Sequence, residues 1–252
     1  MTTDKQIILV TGASSGVGLE TSYALAAASP NNHVLMGVRN LTKGTTCLKE
    51  LQSRNPPGTL ALIELDVTID DSITAAVEKI ESDYGRLDVL INNAGIEIKS
   101  PTAKRADMRA IFETNVYGPT LLTQALVPLL KKSPAPKVIN VTSGLGSLAL
   151  RTDPTHHTYH VPHTVYRMSK SALNMLTACQ HKEMKEWGCK VWCYCPGFVV
   201  TNLTGEEERQ WRSDSGGESP ETSATGIVEV VEGKRDVEVG LFITKYGGRL
   251  DW

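Results

Sequence analysis

The sequence predicts an α/β fold, a doubly wound parallel sheet of about seven strands with helices on both faces. Three observations carry this. Short apolar runs alternate with amphipathic helical stretches along most of the chain, the pattern of βαβ units joined by right-handed crossovers. The first apolar run leads at once into a glycine-rich turn, Thr11-Gly12-Ala13-Ser14-Ser15-Gly16-Val17-Gly18, and then into a helical stretch. Length and composition suit a single domain over 1–252, with 252 residues, 40% hydrophobic and 21% charged, enough to bury a sizeable core.

In chain order, Ile7-Ile8-Leu9-Val10 has no polar interruption, so it reads as a strand (7–10) buried on both faces. Strand, glycine turn and helix (17–28) together make a Rossmann-type dinucleotide fingerprint. Gly12 permits the tight turn. Gly16 lets the backbone approach a pyrophosphate, which sits on the helix N-terminus, where N–H groups and the dipole favour an anion. Ser14, Ser15 and Val17 belong to the same cradle, and Gly18 lets helix and strand pack closely. Six more strands are expected at 33–37, 60–65, 88–91, 137–142, 190–195 and 240–243. The helices between them are expected at 41–54, 70–83, 105–131, 164–187 and 221–231. The polar, Gly/Ser-rich stretch 202–220 breaks the alternation. It is expected as a mobile loop over the substrate site, although its composition suits a plain surface loop equally well.

Charge and cysteine usage exclude several classes. A net charge of -2 gives no electrostatic case for nucleic acid or an acidic membrane surface. No apolar run approaches the roughly 20 residues of a spanning helix. Met1-Thr2-Thr3-Asp4-Lys5-Gln6 enters the first strand directly, leaving no room for a signal peptide. Five cysteines at irregular spacing do not form a disulfide framework. Cys189, Cys193 and Cys195, in or beside one apolar strand, read as buried thiols, so no metal is expected and the compartment is expected to be the cytoplasm.

The chemistry-bearing residues stand at strand ends, where an open parallel sheet binds ligands. Asp66-Val67 ends the third strand, Asn92-Asn93-Ala94-Gly95 the fourth, Ser143 the fifth and Pro196-Gly197 the sixth. Asn115 lies within the long helical stretch. Tyr166 and Lys170, at i and i+4, share a helix face. A nearby ammonium stabilises a phenolate and is expected to lower the tyrosine pKa from about 10. Such a tyrosine can give a proton to a carbonyl oxygen or take one from an alcohol, and Ser143 can hydrogen-bond the same oxygen.

With these motifs in this order, the chain resembles the classical short-chain dehydrogenases/reductases from Ile7 to about Phe242. The resemblance implies a catalytic tetrad of Asn115, Ser143, Tyr166 and Lys170. Tyr166 would be the acid/base and Ser143 would position the substrate oxygen. Lys170 would bind the nicotinamide ribose, and Asn115 would hold a water in a proton relay. It also implies adenine-side contacts from Asp66, Val67, Asn92, Ala94 and Gly95, and nicotinamide contacts from the segment Pro196-Gly197-Phe198-Val199-Val200-Thr201 through Val199 and Thr201.

The end of the second strand carries Arg39-Asn40 and no acidic residue. A carboxylate there would bind a ribose 2′-hydroxyl, whereas a guanidinium suits a 2′-phosphate. Arg39 and Asn40 resemble the family's NADP-type pattern, with Lys43 as a further contact. Ser15 departs from it, since many NADP-type members carry a basic residue there. NADP(H) is therefore the expected cofactor and a small-molecule carbonyl compound the expected substrate.

Twenty-two residues, 144–165, separate Ser143 from Tyr166, longer than the family's usual spacing. The extra stretch 150–163 contains His156, His157, His160 and His163. It is expected to wall the pocket or lie against the neighbouring helix rather than bind a metal. Longer insertions here occur in monomeric carbonyl reductases of the family, which leaves monomer and homo-oligomer both open. Ile96 to Ile98, Leu145, Tyr159, Phe198 and Trp211 are expected to give the pocket apolar, aromatic walls. An alcohol dehydrogenase, a non-redox biosynthetic enzyme and a cofactor-binding scaffold are the competing readings on the same fold.

Overall fold

The computed structural model describes residues 5–100 and 102–252; the expectation for Met1 to Asp4 lies outside them. The elements run β1 (Gln6–Thr11), α1 (Gly16–Ala28), β2 (Asn32–Val38), α2 (Leu41–Ser53), β3 (Thr59–Glu64), α3 (Asp70–Tyr84) and β4 (Val89–Asn92). They continue with α4 (Arg105–Phe112), α5 (Gly118–Leu130), β5 (Lys137–Val141), α6 (Leu148–Thr152), α7 (Thr164–Met184) and β6 (Lys190–Cys195). α8 (Arg209–Asp214), α9 (Pro220–Val231) and β7 (Phe242–Thr244) complete the order.

The seven strands form one sheet in the order β3-β2-β1-β4-β5-β6-β7, every neighbouring pair parallel. This is the expected doubly wound Rossmann-type sheet. Successive side chains of a strand point to opposite faces, so β1 feeds two cores. Ile8 and Val10 pack with Leu25 of α1 and Ile227 of α9. Ile7 and Leu9 pack with Ile80 of α3 and Leu126 of α5 on the other face. Cys189, Cys193 and Cys195 are buried free thiols. Among the described residues no helix is long and apolar enough to cross a membrane.

Two expected elements take a different form. The single helix over 105–131 is split by a π-helical turn at Glu113–Tyr117. In an α-helix the N–H of residue 119 would bond the Asn115 carbonyl, but Pro119 has no N–H. The Gly118 N–H instead reaches back five residues to Glu113. The stretch 202–220 is not a plain loop. It carries a 3-10 turn at Glu206–Glu208 and then α8. Paired backbone bonds of 2.9 Å between Phe198, Val200 and Glu218 close its base. Arg212, 7% exposed, fastens it from within by donating to the Val199 carbonyl and Thr204 Oγ1.

A buried amide network crosses the middle of the sheet. Asn92 donates from Nδ2 to Asn140 Oδ1 at 2.8 Å and to Thr123 Oγ1 at 2.9 Å. Asn140 in turn donates to Gln180 and Thr177.

Candidate active site

The strand order reverses between β1 and β4, and a crevice opens there beyond the strand C-termini. It encloses about 560 Å³. Gly12, Ser14, Ser15, Gly16 and Val17 line its floor. Gly12 (φ +66°) and Gly16 (φ +54°) take left-handed backbone that side chains rarely adopt. A Cβ on Gly12 would stand 2.9 Å from Ala94 Cα. The Ser15 side chain makes no capping bond and the first turn of α1 has no acidic residue, so its N–H groups are available to an anion. Gly18 does not line the crevice; it lies where a Cβ would meet Asn93 and the Gly12 carbonyl.

At the end of β2, Arg39, Asn40 and Lys43 line the crevice. Asn40 caps α2 by accepting from the Lys43 N–H at 2.9 Å. Arg39 is exposed and has no ion-pair partner among the described residues. Asp66 and Val67 line the next strand end, where Asp66 Oδ1 accepts from Thr68. At the end of β4 the lining residues are Asn93, Ala94 and Gly95. Asn92, expected beside the cofactor, instead turns inward to the amide network. Asn93 is held by Thr11, whose hydroxyl oxygen accepts from the backbone of Asn93 and Ala94 at 3.0 and 2.9 Å. Pro196, Gly197, Val199 and Thr201 close the opposite wall.

Ser143, Tyr166 and Lys170 all line this crevice. Tyr166 and Lys170 are 7% and 4% exposed. Lys170 Nζ donates to the Val141 carbonyl at 3.0 Å and lies 5.7 Å from the Tyr166 ring centre. Ser143 caps the following 3-10 turn, Gly144–Gly146, by accepting from Leu145 N–H. Asn115 stands behind the crevice, fully buried. Its amide grips both the N–H and the carbonyl of Ile96 at 2.8 and 3.0 Å and donates to Ser169.

The electrostatics differ from the expectation in one respect. Burial drives the Tyr166 phenol up, the Glu97 carboxylate pushes it further, and Cys195 adds to this. A hydrogen bond with Ser143 and the charge of Arg212 pull it down by less. Burial also draws the Lys170 ammonium down to about 8. The phenol therefore keeps its proton at neutral pH; desolvation outweighs any help from the lysine.

The outer pocket is less apolar than expected. Phe198 and Trp211 meet edge to face at 6.0 Å, yet Arg212 lies over Phe198 and Lys99 over Trp211. Glu97, inside the Ile96 to Ile98 wall, has a side chain only 6% exposed, in contact with His163. Of the expected wall residues Ile96 lines the crevice, whereas Ile98, Leu145, Tyr159, Phe198 and Trp211 do not. Only the alternation of Ile96-Glu97-Ile98 hinted at an inward carboxyl. The His-rich stretch scatters its rings: His156 and His157 pair at 4.3 Å, while His160 meets Tyr159. Among the described residues no three potential metal ligands converge.

The sequence pattern of the short chain dehydrogenase family matches residues 6–212. The short-chain dehydrogenase/reductase tropE of Talaromyces stipitatus is 36% identical over 261 residues, 97% of each chain. Short-chain dehydrogenase anuI of Penicillium roqueforti is 38% identical over 80% of this chain and 81% of its own. Among solved structures, an NADPH-bound carbonyl reductase from chicken fatty liver superimposes with a TM-score of 0.83 at 30% identity, covering both chains fully. Carbonyl reductase Sniffer of Drosophila melanogaster gives 0.82 at 27%, again over both full chains. Fold, glycine cradle and sequence likeness along nearly the whole chain agree: this protein belongs to the short-chain dehydrogenase family of oxidoreductases, which work with a nicotinamide cofactor.

Proposed function

We propose that this protein is an NADPH-dependent reductase of ketones or aldehydes, with Tyr166 as general acid. The observation that carries this reading is a buried phenol beside Ser143 and Lys170 in a glycine-floored crevice. Gly12 to Val17 would hold the pyrophosphate on the N-terminus of α1, and Arg39 with Lys43 would take the 2′-phosphate. When bound, the nicotinamide supplies the hydride. Ser143 Oγ orients the substrate carbonyl oxygen, and Tyr166 gives that oxygen its proton as charge develops there. The developing alkoxide is more basic than the phenolate, so proton transfer is favourable even from a phenol held well above its ordinary range. Lys170 lies beside the phenol, where an ammonium would stabilise the phenolate as it forms. Ile96, Val199 and Leu203 give the crevice an apolar side, which supports an apolar carbonyl substrate.

The test is Tyr166→Phe, assayed on a panel of aromatic aldehydes and ketones with NADPH and with NADH. Turnover should fall by a factor of at least about 100, while NADPH binding, followed by fluorescence, stays near the wild-type value. Full activity in Tyr166→Phe would remove Tyr166 from the acid role. Turnover without cofactor oxidation would point to a non-redox enzyme.

A further inference from the structure

The segment 202–220 carries a buried cation with no carboxylate of its own. Arg212, on α8, is 7% exposed and lines the same crevice as Ile96, Tyr166 and Leu203. Taking a guanidinium out of water is costly unless partners replace the water. The two other buried arginines have such partners. Arg235 is paired with Glu238 through Nε and Nη2. Arg167 donates to the carbonyls of Leu145, Thr158, Val161 and Pro162. Arg212 has one carbonyl, Val199, which Nη1 reaches at 3.2 Å, and one hydroxyl, Thr204 Oγ1, which Nε and Nη2 share at 3.3 and 3.1 Å. A guanidinium has five N–H donors, so each terminal nitrogen keeps one N–H with no acceptor among the described residues. The Phe198 ring, 5.5 Å from Cζ, is a weak substitute for a carboxylate. The nearby carboxylates are engaged elsewhere: Glu208 pairs with Lys99 at 2.5 Å and Glu97 touches His163. Glu206 also lines the crevice, but it is exposed and accepts from Asn202 at 3.2 Å. Arg212 also stands apart from the pyrophosphate cradle. There Thr201 covers Gly16, whose Cβ would lie 3.0 Å from Thr201 Cγ2. Arg212 is tied instead to Val199, and its charge acts on the Tyr166 phenol.

We propose that Arg212 is a specificity residue that binds a carboxylate carried by the carbonyl substrate, through the terminal N–H groups that the fold leaves unpartnered. This rests on the reductase reading above and narrows it. The substrate is then an oxo acid, with its apolar body along Ile96, Val199 and Leu203 and its carboxylate on the guanidinium. The planar guanidinium suits this group, because its N–H donors match two carboxylate oxygens at once. Fastening the segment does not account for the residue. The Val199 carbonyl and Thr204 Oγ1 need donors but no charge, and a neutral amide would supply donors at a smaller desolvation cost. The charge itself is what the packing leaves unanswered, and a substrate anion answers it.

The experiment measures kcat/KM of wild type, Arg212→Gln and Arg212→Lys with NADPH on two oxo acids, benzoylformate and para-acetylbenzoate, and on their methyl esters. Wild type should prefer at least one acid over its ester by about 30-fold or more, and Arg212→Gln should abolish that preference. Arg212→Lys keeps the charge without the planar fork and should retain part of it. The ratio is the readout, because a loosened segment slows acid and ester alike. A wild type with no preference for either acid, or a preference that survives in Arg212→Gln, overturns the proposal. So does a loss shared equally by acid and ester with weakened NADPH binding, which would assign the guanidinium to the cofactor. If Arg212→Gln does not fold, Arg212→Lys and the wild-type ratio decide. If wild type reduces no carbonyl compound, the reductase reading fails, and the site is judged by binding alone. Naphthoate should then bind the NADPH-loaded protein at least about tenfold more tightly than it binds the NADPH-loaded Arg212→Gln or Arg212→Lys protein, followed by fluorescence; equal binding overturns the proposal.

Discussion

Replacing Lys170 by methionine should make the cofactor-free protein more stable at neutral pH. Lys170 is 4% exposed, and burial draws its ammonium from 10.5 to about 8. The folded-state pKa lies below the unfolded one, so the unfolded chain holds the proton more tightly. The cost is fully present below about pH 8 and fades as pH rises towards 10.5, because in that window only the unfolded chain binds the proton. The separation corresponds to about 3 kcal/mol at pH 7 and about 1 kcal/mol at pH 10. Methionine fills a similar volume without charge. It leaves the Val141 carbonyl without the donor it has at 3.0 Å, which gives back about 1 kcal/mol. The net gain is therefore about 2 kcal/mol at pH 7 and close to zero at pH 10. Urea unfolding of both proteins at the two pH values measures it. A variant less stable than wild type at pH 7, or a difference that does not change with pH, would show that Lys170 carries no such burden.

Three further outcomes follow from the geometry. Arg39→Ala should weaken NADPH about tenfold or more while leaving NADH nearly unchanged in fluorescence titrations, the loss of one charge-assisted contact; equal losses would remove Arg39 from the 2′-phosphate role. Gly18→Ala places a Cβ 2.4 Å from Asn93 Nδ2 and 2.6 Å from the Gly12 carbonyl oxygen, so it should destabilise by about 1–3 kcal/mol; an unshifted melting temperature would mean that the turn yields freely. Arg167→Met strips four carbonyls of their shared donor, so limited proteolysis should cut within 153–163 well before the rest of the chain; a cleavage pattern like wild type would mean that the segment holds itself.

Where one local rule governs, the sequence was easy to read. The strand starts at 6–7 and 190 and the helix starts at 41, 70, 105 and 164 follow from the alternation of apolar runs with amphipathic stretches. The meeting of Ser143, Tyr166 and Lys170 follows from their places at one end of a parallel sheet. What stayed hidden depends on contacts distant in sequence. Glu97 and His163 lie far apart in sequence and meet only in the folded chain. The direction of the Tyr166 shift was misread because residue spacing shows the lysine but not the burial that outweighs it. The π-helical turn had a visible cause in Gly118-Pro119, since the proline removes one helical donor. The order within 202–220 depends on Arg212, whose burial a polar composition conceals. Asn92 and Asn93 stand side by side in sequence, and only strand pleating decides which of them turns inward.

The amide pair at the centre of the sheet bears on how the chain finds its alignment. β4 and β5 read Val89-Leu90-Ile91 and Val138-Ile139, apolar on both faces, so sliding one past the other would exchange one greasy contact for another at little cost. Asn92 and Asn140 are register partners, and only in that register does Asn92 Nδ2 reach Asn140 Oδ1. A slip would strand two buried amides, a penalty of about 1–3 kcal/mol for each unsatisfied group. The pair thus works as an alignment pin in a sheet whose hydrophobic pattern is silent about alignment. It also sets the height at which Ala94, Gly95 and Ser143 emerge, so that two residues no ligand would touch decide whether the strand ends arrive level.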